Sequence, residues 1–96
     1  MAELNHTIVW CSDKQRSTEF LTGILGLAPA RTFFHFLVVD LVNGVSLDFY
    51  EKEGMVSPQH YAFLVSDEEF DAAFGRITAS GLDFWADPAR SQRGQI

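Results

Sequence analysis

Along this chain the spacing of hydrophobic positions switches between two periods, and the switches mark the elements. Leu4 to Cys11 alternates with a period of two and is rich in Thr, Ile, Val and Trp, which predicts a strand with His6, Ile8 and Trp10 on one face and Thr7, Val9 and Cys11 on the other. Both faces are largely apolar, so the strand is expected to be covered on each side, with Cys11 toward a helical layer. At Ser12 the period becomes helical. Ser12 with Gln15 three residues on reads as a capping box, Phe20, Leu21, Ile24 and Leu25 form the apolar stripe, and Gly26 followed by Pro29 ends the helix. Thr32 to Leu41 is almost continuously apolar and aromatic, a length that suits one buried strand. Asn43-Gly44 then predicts a hairpin with a two-residue type I′ loop, which sets Val42 opposite Val45, Val39 opposite Asp48 and Leu37 opposite Tyr50. Asp48 shares its face with Ser46 and Tyr50.

Glu51 to Pro58 is the most polar and turn-rich connection, and the division between two modules falls there, 1–56 and 57–96. A strand carrying His60 follows, then a second capping box, Ser66 with Glu69, with Asp67 and Glu68 where the helix dipole favours negative charge. Phe70, Ala73, Phe74 and Ile77 line one face of that helix, and Gly81 stops it. Leu82 to Trp85 reads as a short strand broken by Pro88, and Ala89 to Ile96 is polar. The second half repeats the first. A shift of 54 residues superposes His60 on His6, Ser66 on Ser12, Asp67 on Asp13 and Phe74 on Phe20. Because the shift is even, each histidine points to the equivalent face of its own strand. Unit one has a strong hairpin at a stage where unit two has none, so the second unit is degenerate or continues past the residues given.

At 96 residues, 47% hydrophobic with nine phenylalanines, the chain supports one modest core, which the two repeated units must share. A net charge of −6 and a pI near 4.8 argue against binding to nucleic acid or an anionic membrane surface. No stretch approaches a membrane span and the N-terminus lacks a basic region followed by an apolar run, so a soluble cytoplasmic protein is expected. Cys11, the single cysteine, cannot close an internal disulfide and reads as a small buried hydrophobe. The partners this leaves are a small molecule or a second copy of the chain.

The repeat makes His6 and His60 the candidates for a shared site, since equivalent side chains from two similar units can converge. Asp48 lies between Leu47 and Phe49, and an ionised carboxylate there needs either a partner or solvent on its face. Trp10 and Leu64 share faces with the two histidines and could wall an apolar cleft or pack in the core; Tyr50 could hydrogen-bond a substrate or pack. His35 reads as structural. Ser12 and Ser66 have capping roles, and no Ser-His-Asp arrangement is indicated. Arg90, Arg93 and Gly94 belong to a solvated connector or to a loop gating a substrate.

Taken together, Leu-Asn-His-Thr-Ile-Val-Trp, Gly-Ile-Leu-Gly-Leu, Asn-Gly-Val-Ser-Leu-Asp-Phe-Tyr and His-Tyr-Ala-Phe-Leu-Val resemble the vicinal oxygen chelate superfamily of glyoxalases, fosfomycin and bleomycin resistance proteins and extradiol dioxygenases. The resemblance runs from Leu4 to about Pro88. It implies an α+β fold of paired βαβββ modules curled around a cleft, the second module incomplete in this chain. It also implies metal ligation by His6 and His60 at the starts of the two modules, and by Asp48 where the glyoxalase branch carries glutamate. A final glutamate, normally in the last strand of module two after an aspartate-proline-aspartate-glycine turn, has no counterpart here. Two imidazoles with one or two carboxylates suit a divalent Fe, Mn, Ni, Co or Zn ion with positions left open for a substrate's neighbouring oxygens. The implied function is a metal-dependent isomerase or lyase, thiol transferase or ring-cleaving dioxygenase acting on a small oxygen-rich substrate. The alternative is a metal-free binding protein of the bleomycin-resistance type. Members of the family commonly pair, and an incomplete sheet leaves an edge, so a homodimer is expected.

Overall fold

A computed structural model describes residues 1–96, and the chain within it divides into two compact units, Met1–Pro58 and Gln59–Ile96. The first contains β1 (His6–Cys11), α1 (Lys14–Leu25), β2 (Arg31–Phe33), β3 (Phe36–Asp40) and β4 (Ser46–Glu51), in that order, as one βαβββ module. Its four-stranded sheet runs β1-β4-β3-β2: β1 lies parallel to β4, while the β2–β3 and β3–β4 pairs are antiparallel. The fold class is therefore α+β. No helix is long and apolar enough to cross a membrane.

Helix α1 covers one face of this sheet. Beneath it the strand periodicity delivers Cys11, Val39, Leu47 and Phe49, all buried, with Val39 wholly so. Burial raises the pKa of the Cys11 thiol, as expected of an inert core cysteine. The opposite face, bearing His6, Ile8 and Trp10 on β1, is not covered as expected: His6 is exposed, and Ile8 and Trp10 keep 39% and 40% of their surface.

Helix α1 begins one residue later than the sequence predicts. β1 stays extended through Cys11, whose carbonyl accepts from the Lys52 amide at 2.8 Å, so the cap is Asp13, its carboxylate accepting from the Arg16 amide at 3.0 Å. Glu51, at the end of β4, takes the Lys14 amide at 3.1 Å. The inward stripe also shifts. Phe20 is 54% exposed, and Thr18 takes the central buried position, its hydroxyl donating to the Lys14 and Gln15 carbonyls at 2.8 and 3.1 Å so that no polar atom is orphaned. Gly26 closes the helix in the left-handed region, φ 67°.

The apolar run from Thr32 to Leu41 is two strands rather than one. The chain reverses at Phe34-His35, pairing Phe33 with Phe36, Thr32 with Leu37 and Arg31 with Val38. Phe34 takes φ 51° at the first central position of that turn, unusual for an aromatic residue. The next hairpin exists, but its loop has three residues, Val42 to Gly44. Leu41 donates to the Val45 carbonyl at 2.9 Å, Gly44 to that of Leu41 at 3.2 Å, and Gly44 takes φ 83°, the arrangement of a turn followed by a left-handed glycine. The extra residue moves the register by one. Val38, not Val39, lies opposite Asp48, and Leu37 lies opposite Phe49. A one-residue slip exchanges the faces of a strand, which is why Val39 is sealed under α1.

In the second unit, α2 (Asp67–Ala79) is capped by Ser66 as predicted: Ser66 accepts from the Glu69 amide, and the Glu69 side chain accepts from the Ser66 amide, each at 3.1 Å. The two helix caps thus lie 53 positions apart, against a sequence shift of 54. Phe74 packs edge-on against Phe84 at 5.1 Å. The stretches read as strands around His60 and over Leu82–Trp85 form no ladder, because this unit supplies no neighbour like β4; only Trp85 makes a bridge, to Arg93. A loop over 83–94 is organised instead by Asp87, which accepts from the Ser91 and Gln92 amides, and by the Arg93–Asp83 ion pair at 2.7 Å.

Candidate functional site

The open face of the first unit's sheet collects side chains in rows set by register. β1 brings His6, Ile8 and Trp10; β4 brings Ser46, Asp48 and Tyr50; β3 brings Phe36, Val38 and Asp40; β2 brings Arg31 and Phe33. His6 lies beside Ser46 and Ile8 beside Asp48, so His6 and Asp48 are diagonal neighbours on adjacent strands, about 8 Å apart between Cα atoms. Both line one shallow hollow of about 200 Å³, whose floor includes the buried Val38 and whose rim includes Arg31, Phe33 and Ser46.

Charge in the hollow is organised by Arg31. Its guanidinium grips Asp40 through two bonds, Nε to Oδ2 at 2.7 Å and Nη2 to Oδ1 at 3.1 Å, and Ser46 donates its hydroxyl to the same carboxylate at 2.9 Å. These bonds, that of Arg31 first, hold the Asp40 pKa below the usual carboxylate range; the Asp40 bond and charge, with a smaller contribution from Asp48, raise that of Arg31. Three strands are tied together and Arg31 is fixed over the hollow, with Nη1 making no bond inside the protein. The Asp48 carboxylate accepts no hydrogen bond from the chain. His6 bonds through Nδ1 to Asn5 Oδ1 at 2.6 Å, which leaves Nε2 without a protein partner.

At the other end of the face, roughly 13 Å along β1 from His6, lies an aromatic group. Trp10 and Tyr50 face each other across the β1–β4 pair and meet edge to face at 5.5 Å, while Phe36 tilts against Tyr50 at 5.1 Å. The substrate candidates Trp10 and Tyr50 are thus joined to each other and share a face with His6 and Asp48. His60 and Leu64 belong to the second unit, where both are exposed, Leu64 completely. Arg31 and Asp40 escape a sequence reading because they become neighbours only once the turn at Phe34-His35 is known.

An imidazole with one free nitrogen and an unpartnered carboxylate form a donor pair that fits a borderline divalent metal ion. Within the first unit no third His, Cys, Asp or Glu joins them to make a group of three.

This βαβββ module, with an imidazole on its first strand and a carboxylate on its last, belongs to a known class: residues 3–96 match the family model of the Glyoxalase/Bleomycin resistance protein/Dioxygenase superfamily, and the chain is a member of it. Among solved structures it is similar to oxidase ChaP-H1, at 55% identity and TM-score 0.96 over 100% of this chain and 77% of that one. It is similar also to oxidase ChaP-H2, at 49% identity and TM-score 0.95 over 99% and 75%. Among curated proteins, glutathione transferase FosA of Serratia marcescens is 33% identical over 93 residues, 88% of this chain. The chain spans 64% of the length of that relative.

Proposed function

We propose that the chain forms a metal-dependent enzyme of this superfamily which oxidises a small, oxygen-rich substrate carrying a planar aromatic part, with dioxygen as the oxidant. The observation that carries the reading is the meeting of His6 and Asp48 in one hollow, with the imidazole Nε2 and the Asp48 carboxylate both free of hydrogen bonds from the chain. In this proposal His6, Asp48 and His60 hold a divalent ion, two imidazoles and one carboxylate, the donor set associated with non-haem Fe(II) oxygenases. When bound, such an ion supplies Lewis acidity to two neighbouring substrate oxygens. The chain's own residues orient the rest. Arg31, held by Asp40, presents Nη1 to a substrate oxygen that carries negative charge, and Trp10 and Tyr50 receive the planar part at a distance that positions the oxygens over the hollow. Oxidation is favoured over thiol transfer because identity to the two oxidases, 55% and 49%, exceeds the 33% to the transferase. The two-module organisation, 1–56 and 57–96, and a cytoplasmic homodimer complete the proposal.

Metal content after separate loading with Fe(II) (anaerobically), Mn(II), Ni(II), Co(II) or Zn(II) and gel filtration tests it. The expected result is close to one ion per chain, lost in His6→Ala, Asp48→Ala and His60→Ala while circular dichroism is unchanged. Wild-type protein that retains no ion of any of the five metals refutes the reading. Light scattering that finds only monomer removes the dimer.

A further inference from the structure

We infer that Asn5 is a positioning residue that fixes His6 as its Nδ1–H tautomer and so makes Nε2 the ligand atom offered to the hollow; this rests on the metal reading above. An amide oxygen can only accept, so the 2.6 Å contact between Asn5 Oδ1 and His6 Nδ1 requires the proton to be on Nδ1. In neutral imidazole the other nitrogen then carries the lone pair. An unconstrained histidine in water favours the reverse, with the proton on Nε2, which would leave that nitrogen unable to bind a metal. His6 is exposed, so packing does not orient its ring; the bond to Asn5 is the only hydrogen bond the ring makes.

Asn5 is itself anchored. Its carbonyl accepts from the Ser46 amide at 2.9 Å, extending the β1–β4 pairing one step beyond His6. The amide side chain therefore springs from backbone tied to the same strand that carries Asp48, and the orientation of the imidazole is referenced to the carboxylate it is to work with. Ligating histidines are generally held this way through their second nitrogen, and loss of the holding group weakens metal binding by about 10–100-fold.

The Ser46 bond uses the Asn5 main chain, so Asn5→Ala leaves the strand pairing in place. The experiment records long-range ¹H–¹⁵N correlation spectra of the metal-free full chain at neutral to mildly alkaline pH, with His6 assigned by its loss in His6→Gln, and measures Fe(II) affinity alongside. Wild type is expected to show Nδ1–H. Asn5→Ala is expected to convert His6 mainly to Nε2–H and to weaken Fe(II) by about 10–100-fold, and Asn5→Asp, whose carboxylate accepts at the same place, to restore both. A wild-type His6 that is mostly Nε2–H, or tautomer populations unchanged by Asn5→Ala, overturns the inference. A tautomer that follows Asn5 in a protein that binds no metal upholds the bond and defeats the metal reading instead.

Discussion

Substituting glycine by alanine at two positions of the first unit should have opposite effects, because backbone conformation alone decides the sign. Gly44 sits at φ 83° and Gly23 in the interior of α1, and at both positions the space a new methyl would occupy is empty. Steric clash is therefore absent from each. At Gly44 an alanine must adopt the left-handed region, at a cost of about 1–2 kcal/mol. At Gly23 the helical conformation already suits alanine, and restricting the unfolded chain stabilises the fold by about 0.5–1 kcal/mol. Urea unfolding followed by Trp10 fluorescence in a Trp85→Phe background should separate the two variants by about 1.5–3 kcal/mol in total. With a shift of roughly 4–8 °C per kcal/mol expected for a domain of this size, the order should also be plain in Tm. Equal stability of Gly44→Ala and wild type, or loss of stability in Gly23→Ala, would refute the reasoning. Gly44 also bears on the site. Were alanine to shorten the loop to two residues, Val39 would replace Val38 beside Asp48, a change visible as altered cross-strand NOEs.

Two further outcomes follow from the packing and the charges. Thr18→Val should stay within about 1 kcal/mol of wild type, because the Lys14 and Gln15 carbonyls keep their helical partners, whereas Thr18→Ser removes a buried methyl and should lose about 1 kcal/mol, measured by the same urea series. The pKa of Asp40 is lowered chiefly by the Arg31 bond, that of Glu69 by the Ser66 amide and that of Asp87 by Ser91. Each is depressed in the folded state, so its contribution is complete above the unfolded carboxylate pKa of about 4 and disappears as pH falls through the lower folded value. Tm should therefore be nearly flat from about pH 7 to 5 and drop below about pH 4, and the drop should be smaller in Asp40→Asn; since these groups are exposed, the individual differences are small.

The sequence revealed most where one residue type had one use. Ser66 with Glu69 could serve only as a capping box and is one, and Gly26 could only end a helix. Where neighbouring residues had equal claims, the reading slipped by one: Ser12 and Asp13 both cap helices, and strand pairing through Cys11 chose Asp13. Asn43-Gly44 suits both a two-residue loop and a three-residue loop ending on glycine, and the difference inverted the faces of β3. The turn at Phe34-His35 carried no glycine, proline or asparagine to mark it, so two strands looked like one. Because a phenylalanine there takes a left-handed conformation, local preference pointed the wrong way. The face shared by Asp48, Ser46 and Tyr50 survived these errors, since it depends only on the period of β4; the placement of Arg31 and Asp40 did not.

β1 is the earliest strand in the chain, yet its only neighbour is β4, so Ile8 meets Asp48 across a separation of 40 residues. The two local hairpins can form within microseconds of collapse, but bringing β1 home must enclose the whole of α1, β2 and β3 and bears the largest entropy of closure in the unit. His6 and Asp48 therefore become neighbours only when that long loop closes. Anything captured between them would act as a clasp on the longest loop, lending its binding free energy to the entire module rather than to one corner of it.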